Sequence, residues 1–363
     1  MSTLKTNTIS TNDANNVALS NQLNLKSYTT TARDALTSVA GDMIYNTTTS
    51  KAEFYNGSAW VETGGIDAFQ IQFVIVAGGG SGASLWGAAN MTSSGAGAGG
   101  YVSSVVGENS GGGFSAQQIM YIAPSTNYPV SIGAGGSADS SGAVQESGYI
   151  GNTSYFNNIV ANGGGASQSY IQKHAKGRQI SGGSAAGRGS YINHAGITDE
   201  GGQGLVGQGY DGGEVQQKFN GAANASGGGG GASAAGGDAS SNDGGDGGAG
   251  VATSISGSSV TYAGGGGGGA YGTQGTGGAG GGADGVKDSN GNAGTANTGG
   301  GAGGIYISNT TQRYGGNGGS GVVILRYPND YTISQSGLTL TTATTGTDKV
   351  TTITAGTGTV SFA

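Results

Sequence analysis

Hydrophobic and polar positions alternate in short bursts along this chain, and the stretches between the bursts carry almost no hydrophobic side chains. The first clear burst is DMIYN at 42–46, where Met43 and Tyr45 share a face; KAEFY at 51–55 and AWVE at 59–62 repeat the period of two, the signature of a half-buried strand. Asn56-Gly57 supplies a hairpin turn between the last two. A three-stranded meander is therefore expected within residues 27–66. Three short strands with few apolar groups are marginal alone, so the meander is expected to pack against copies of itself. Residues 69–76 (FQIQFVIV) are apolar on both faces, as a central strand would be. Further strands are expected at 101–106, 120–123, 128–132, 154–160 and 321–327. The Thr-rich residues 329–363 alternate at 338–342, 349–354 and 359–362. Glycine turns are read at Gly346 and at 356–358, which gives a small C-terminal β element.

Glycine fills the intervals. The chain has 83 glycines in 363 residues, with unbroken runs at 227–231 and 264–269. Ordering a glycine costs about 0.5–1 kcal/mol more than ordering an alanine, and such a composition defaults to disorder. The strand signals at 69–77 and 321–327 bracket the glycine block and argue for order. The main chain is then the remaining source of stability. Extended glycine helices of the polyproline-II type have about three residues per turn and no internal hydrogen bonds. Every N–H and C=O is free to pair with a neighbouring segment, and the absent Cβ permits Cα–H···O contacts as well. The expected fold is mostly β and irregular: the meander, a polyglycine-II sandwich flanked by short strands over 67–328, and the C-terminal β element. The lack of a strict G-X-Y period and the presence of only 3 prolines exclude collagen.

Charge and composition narrow the partners. The net charge of −7 argues against nucleic acid and against a polybasic membrane surface. With no cysteine there is no disulfide framework or thiolate chemistry. No run reaches the ~18 apolar residues of a membrane span, and MSTLKTNTISTND lacks a signal-peptide core. Residues 166–220 stand apart: five of the 13 basic residues and both histidines lie there. That stretch is read as a polar loop insertion projecting from the glycine lattice.

Candidate chemistry is sparse. VIVAGGGSGAS at 74–84 imitates a dinucleotide-binding fingerprint but lacks the following helix and acidic residue, so no cofactor is expected. Asp238, Asp243 and Asp246 are weak metal candidates, set against the reading that they are turn-forming residues. His174 and His194 lack a partner carboxylate in a defined pocket, and no enzyme is expected. Tyrosine and tryptophan offer large contact area at low entropy cost. The candidate contact residues for a binding partner are Trp86, Tyr170, Lys173, His174, Arg178, Arg188, Tyr191, His194, Tyr210 and Tyr271. For the aromatics the alternative is that they cap the sides of the lattice. Packing is expected for Tyr101, Tyr262 and Tyr306.

The sequence FVIVAGGGSG, YPVSIGAGG, GNTSYFNNIVANGGG, TYAGGGGGGA and GGSGVVILRYP resembles the glycine-rich domains of phage tail fibres and related viral structural proteins, over roughly residues 68–328. Residues 27–61 look like a common tail-fibre segment, and both ends of the chain look like ends of such proteins. The resemblance implies a homotrimeric fibre or adhesin on the virion, made in the host cytoplasm and attached to a tail, adaptor or other virion protein through residues 1–26. It implies a host surface protein or glycan as receptor, with no membrane insertion. The alternative is a structural virion protein such as a head fibre or decoration protein.

Overall fold

The computed structural model describes residues 25–63, 68–87, 89–139, 147–169, 180–189, 201–215 and 224–363. The chain forms two compact units, Met1–Asp67 and Ala68–Ala363. In the first, β1 (Ser27–Tyr28) runs parallel to β2 (Met43–Asn46), which continues into β3 (Lys51–Tyr55) and β4 (Trp60–Glu62) as an antiparallel meander. Between β1 and β2 lies a short helix, α1 (Thr30–Asp34), capped by the Thr29 hydroxyl, which accepts the Ala32 N–H at 3.2 Å.

The two faces of the meander differ. Ile44 and Glu53 are buried on one side, where Arg33 of α1 donates to Glu53 at 2.8 Å and Asn46 donates to it at 2.9 Å. Burial pushes the Glu53 carboxyl up, but the hydrogen bonds from Arg33 and Asn46 outweigh it and hold the group below its ordinary value. On the other face Met43, Phe54 and Val61 line up across the strands, and Met43, Tyr45 and Val61 are exposed.

In the second unit the strands, in chain order, are β5 (Phe69–Val76), β6 (Met91–Thr92), β7 (Tyr101–Ser103), β8 (Met120–Ile122), β9 (Tyr128–Ser131), β10 (Ser154–Phe156), β11 (Ile159–Ala161), β12 (Val251–Thr253), β13 (Val260–Tyr262), β14 (Val286–Lys287), β15 (Ile305–Ile307), β16 (Val322–Pro328), β17 (Ile333–Thr345) and β18 (Asp348–Phe362). The main sheet has the order β11-β10-β9-β18-β16-β5-β7, with β17 on β18 and β8 on β5. As its pattern predicts, β5 is central. Ile71, Phe73 and Ile75 join Leu325, Tyr327, Ile353 and Phe362 on one face. Val74 and Val76 join Tyr101, Val251 and Ile324 on the other, together with Ala98, Ala232 and Ala263 from the glycine tracts. The second face therefore seats the glycine block on the sheet.

Two expectations are corrected. SYFNNIV is a hairpin of β10 and β11 that turns at Asn157, whose φ is +53°, instead of one strand. Gly356 and Gly358 do not turn the chain. They lie inside the 15-residue β18, where Gly356 (φ +105°) lies against Gly337 (φ +75°) of β17 and the two absorb a register irregularity between the strands. Gly346 (φ +64°) does form the β17–β18 turn.

The glycine tracts form a lattice. Gly264 and Gly267 donate their N–H groups to Gly280 and Ala283; Gly265 and Gly268 donate to Gly248 and Gly245; Gly266 and Gly269 donate to Ala96 and Ser93, all at 2.8–3.2 Å. The partner changes with every residue and returns on every third, as a three-fold extended helix requires. The carbonyls repeat the pattern towards three other passes: 264 and 267 accept from Gly301 and Gly304, 265 and 268 from Gly278 and Gly275, 266 and 269 from Gly229 and Ser226. One glycine helix is thus laced to six neighbouring passes, some parallel and some antiparallel. Residues 226–232 and 95–100 follow the same rule.

Close approach is what fixes glycine here. A Cβ on Gly266 would fall on the Ala302 carbonyl. Alanine is admitted where space allows, as at the fully buried Ala96, Ala98 and Ala302. Buried serines bond to neighbouring carbonyls; Ser226 Oγ donates to Ser93 and Ser167 Oγ to Ser94, each at 2.6 Å. Part of the stretch expected to project as a loop insertion belongs to this lattice: Ser184 donates to Ala98, Gly187 to Gly95 and Gly213 to Gly228. The charged and aromatic residues of 166–220 and the lack of long glycine runs there hid these passes, because alanine and serine occupy some of their positions.

Candidate functional site

The lattice passes run between two ends. At one end they join β5, β13 and β16; at the other they turn around residues 85–87, 89–92, 239–244, 270–275 and 305–314. Trp86, Arg188 and Tyr271 lie at this far end. Trp86 follows Leu85, which pairs with Arg313. Arg188 donates to Gln168 at 3.2 Å, and its carbonyl accepts from Gly227. Tyr210 is elsewhere: its N–H donates to Gly231 and its carbonyl accepts from Ala185, which places it toward the sheet. The structure therefore separates Tyr210 from the other described candidates. Tyr170, Lys173, His174, Arg178, Tyr191 and His194 lie outside the described residues, as does most of the 1–26 arm.

Tyr271 is the best-defined surface aromatic of this end. Its ring is 50% exposed and meets the buried Tyr306 edge-on, with centroids 5.7 Å apart. Lys287 extends from β14, donates to the Tyr271 carbonyl at 2.6 Å and places its ammonium 4.3 Å from the Tyr271 ring centroid and 5.4 Å from that of Tyr306. The Tyr306 hydroxyl donates to Asn90 at 2.6 Å. Burial, with the neighbouring Tyr271 and Asp288, pushes the Tyr306 phenol up.

Asp288 follows Lys287 and accepts the Ser308 N–H at 2.7 Å and hydroxyl at 2.8 Å. Burial raises its carboxyl, but those bonds and the nearby Lys287 and Arg313 hold it below its ordinary value. The parallel pairing of β14 with β15 and the antiparallel pairing of β15 with β6 bring these groups together. Sequence reasoning expected Tyr306 to pack and missed Lys287, because its two tyrosine partners are distant in sequence.

The three aspartates serve the lattice. Asp243 accepts the Thr273 N–H at 2.8 Å, Asp246 the Thr276 N–H at 2.7 Å and Asp238 the Glu214 N–H at 2.8 Å. The backbone bond from Thr273 holds the Asp243 carboxyl below its ordinary value. Each carboxylate ties one pass to the next, which is the turn-and-cap role of short acidic side chains. Among the described residues no group of three His, Asp or Glu side chains is placed to hold a metal ion. The amides of Gly78, Gly79 and Gly80 donate to Asn152, Gly319 and Gly97. The fingerprint-like glycines are thus engaged within the lattice. No helix among the described residues is long and apolar enough to cross a membrane.

The chemistry at the far end is that of contact: aromatic faces, an ammonium held in place and hydroxyls, all on a stiff support. No curated protein matches the chain. The family model of the glycine-rich domain matches residues 55–328, the residues that contain the lattice, and the chain belongs to the glycine-rich domain family.

Proposed function

We propose that the chain is a phage tail fibre or adhesin, homotrimeric and carried on the virion, which binds a host surface protein or glycan through the far end of its glycine lattice. The observation that carries this reading is the lacing of residues 264–269 to six neighbours directly beneath Tyr271. A contact surface on such a support loses little freedom when a receptor engages it, and several copies on one particle raise avidity without tight single contacts. The likeness of residues 68–328 to tail-fibre glycine-rich domains supports the same reading. Residues 1–26 are assigned to docking on a tail, adaptor or other virion protein.

The test is competition and location. Purified protein should block adsorption of the parent particle, and labelling should place it on the tail. Labelling on the head, with no competition, would favour the head fibre or decoration protein instead.

A further inference from the structure

The loop that leaves β7 builds a second surface, away from the far end. Residues 104–109 form one limb and residues 115–121 the other, joined by the Asn109–Ser115 bridge. Both limbs are fixed. Ser104 donates its N–H to the Phe73 carbonyl at 2.9 Å, Gln117 donates to Ser103 at 2.7 Å, and Gly112, at the bend, donates to Ala232 of the lattice at 2.9 Å. Between the limbs is a cleft of about 550 Å³, within the size range of small-ligand sites.

The lining is mixed: Val106, Ala116 and Ile119 make it more apolar than polar, and polar side chains stand among them. Glu108, Asn109, Gln117 and Gln118 supply a carboxylate and three carboxamides, Tyr121 supplies an aromatic face, and no lysine or arginine takes part. The Glu108 carboxylate is oriented: its Oε1 accepts the Ser254 N–H at 2.7 Å, while Oε2 is buried with no protein partner. Tyr121 is 62% exposed, yet its hydroxyl accepts a hydrogen bond from Gln70 Nε2 at 2.6 Å, so the ring is held in place. A carboxylate accepts only, whereas carboxamides both donate and accept. An occupant must bring both donors and acceptors for the carboxamides and an apolar face for the ring and the aliphatic lining.

We propose that this cleft binds a polyhydroxylated ligand, a sugar residue, with its hydroxyls on the Asn109, Gln117 and Gln118 carboxamides and its C–H face on Tyr121 and the apolar lining. An anionic ligand would find no cation here. The site shares no residue with the far end, so it stands whether or not the adhesin reading does.

Ligand-observed saturation-transfer NMR on the full chain, with methyl α-glucoside, methyl α-galactoside and N-acetylglucosamine as probes, tests it. The expected result is saturable transfer to at least one sugar, with a millimolar Kd. Binding should weaken at least tenfold in Tyr121→Ala and in Gln118→Ala and be unchanged in Ile150→Ala, an exposed residue outside both surfaces. Tyr121 is exposed, so its replacement leaves the core intact. Transfer to none of the three sugars, or equal transfer in Tyr121→Ala, would overturn the proposal. Transfer to methylguanidinium with none to the sugars would reassign the cleft to cations and overturn it too.

Discussion

Gly266 donates its N–H to the carbonyl of Ala96 at 2.9 Å, joining two passes far apart in sequence without any side-chain atom. That bond is the repeating unit of the whole lattice. It explains how a tract with almost nothing to bury becomes solid: each residue of 264–269 spends its donor and its acceptor on different neighbours, so the main-chain groups of this buried run are all paired.

Replacing Gly266 with alanine normally should help, since a compatible Gly→Ala change stabilises by about 0.4–1 kcal/mol through the unfolded chain. Here the added Cβ would strike the Ala302 carbonyl. The sign should reverse, with a loss of about 1–3 kcal/mol or more, read as a lower denaturant midpoint. A midpoint equal to or above that of the parent would mean the passes are not packed this closely.

The first unit carries a pH dependence. The Glu53 carboxyl lies below its ordinary value of 4.5 in the folded unit, so between the two values the unfolded state binds more protons and stability rises with pH. That stability should be present above about 4.5 and fade as pH falls through the lowered folded value. Arg33→Met leaves the Glu53 charge buried without its cation and should cost about 3–5 kcal/mol. Thermal melts of the full chain between pH 2 and pH 7, followed at the amides of β2 to β4, check both; a melting point of the meander that stays flat across this range would count against the pair.

At the far end, Tyr271→Ala removes the exposed ring on which the Lys287 ammonium rests. Under the adhesin reading, receptor binding should fall at least tenfold, as for a central aromatic anchor, with folding unchanged. Lys287→Ala should give a smaller loss. Equal adsorption by both variants would move the receptor contact elsewhere. Deleting residues 166–220 is not a clean alternative, because that cut also removes lattice passes such as 182–187.

The row of exposed Met43 and Val61 with half-buried Phe54 between them is where copies are proposed to meet. Lysine at Met43 and Val61 together should turn a trimer into a monomer by light scattering. An unchanged mass would show that this face is not the contact.

Much of the fold was legible because its signals are local. The alternation in 42–62 gives β2 to β4, and the apolar run at 69–76 gives a central β5. The polyglycine-II arrangement followed from what glycine lacks. The partners of each pass were not legible, since a glycine run carries no side-chain code for register; alanine and serine at positions such as Ser184 and Ala185 disguised further passes as loop. The 15 residues of β18 were read as two strands because Gly356 and Gly358 resemble a turn, whereas they relieve crowding against Ser336 and Gly337 of β17. The Tyr271–Lys287–Tyr306 cluster was hidden because its members meet only through the β14–β15 pairing.

Amide hydrogen exchange in the run 264–269 tests the central claim most directly. Every one of these N–H groups is bonded to another pass, so they should exchange as slowly as the amides of β5 and β16, opening only with global unfolding. Exchange at the rate of a free glycine chain, while β5 stays protected, would contradict the lattice and leave the far end without a rigid support.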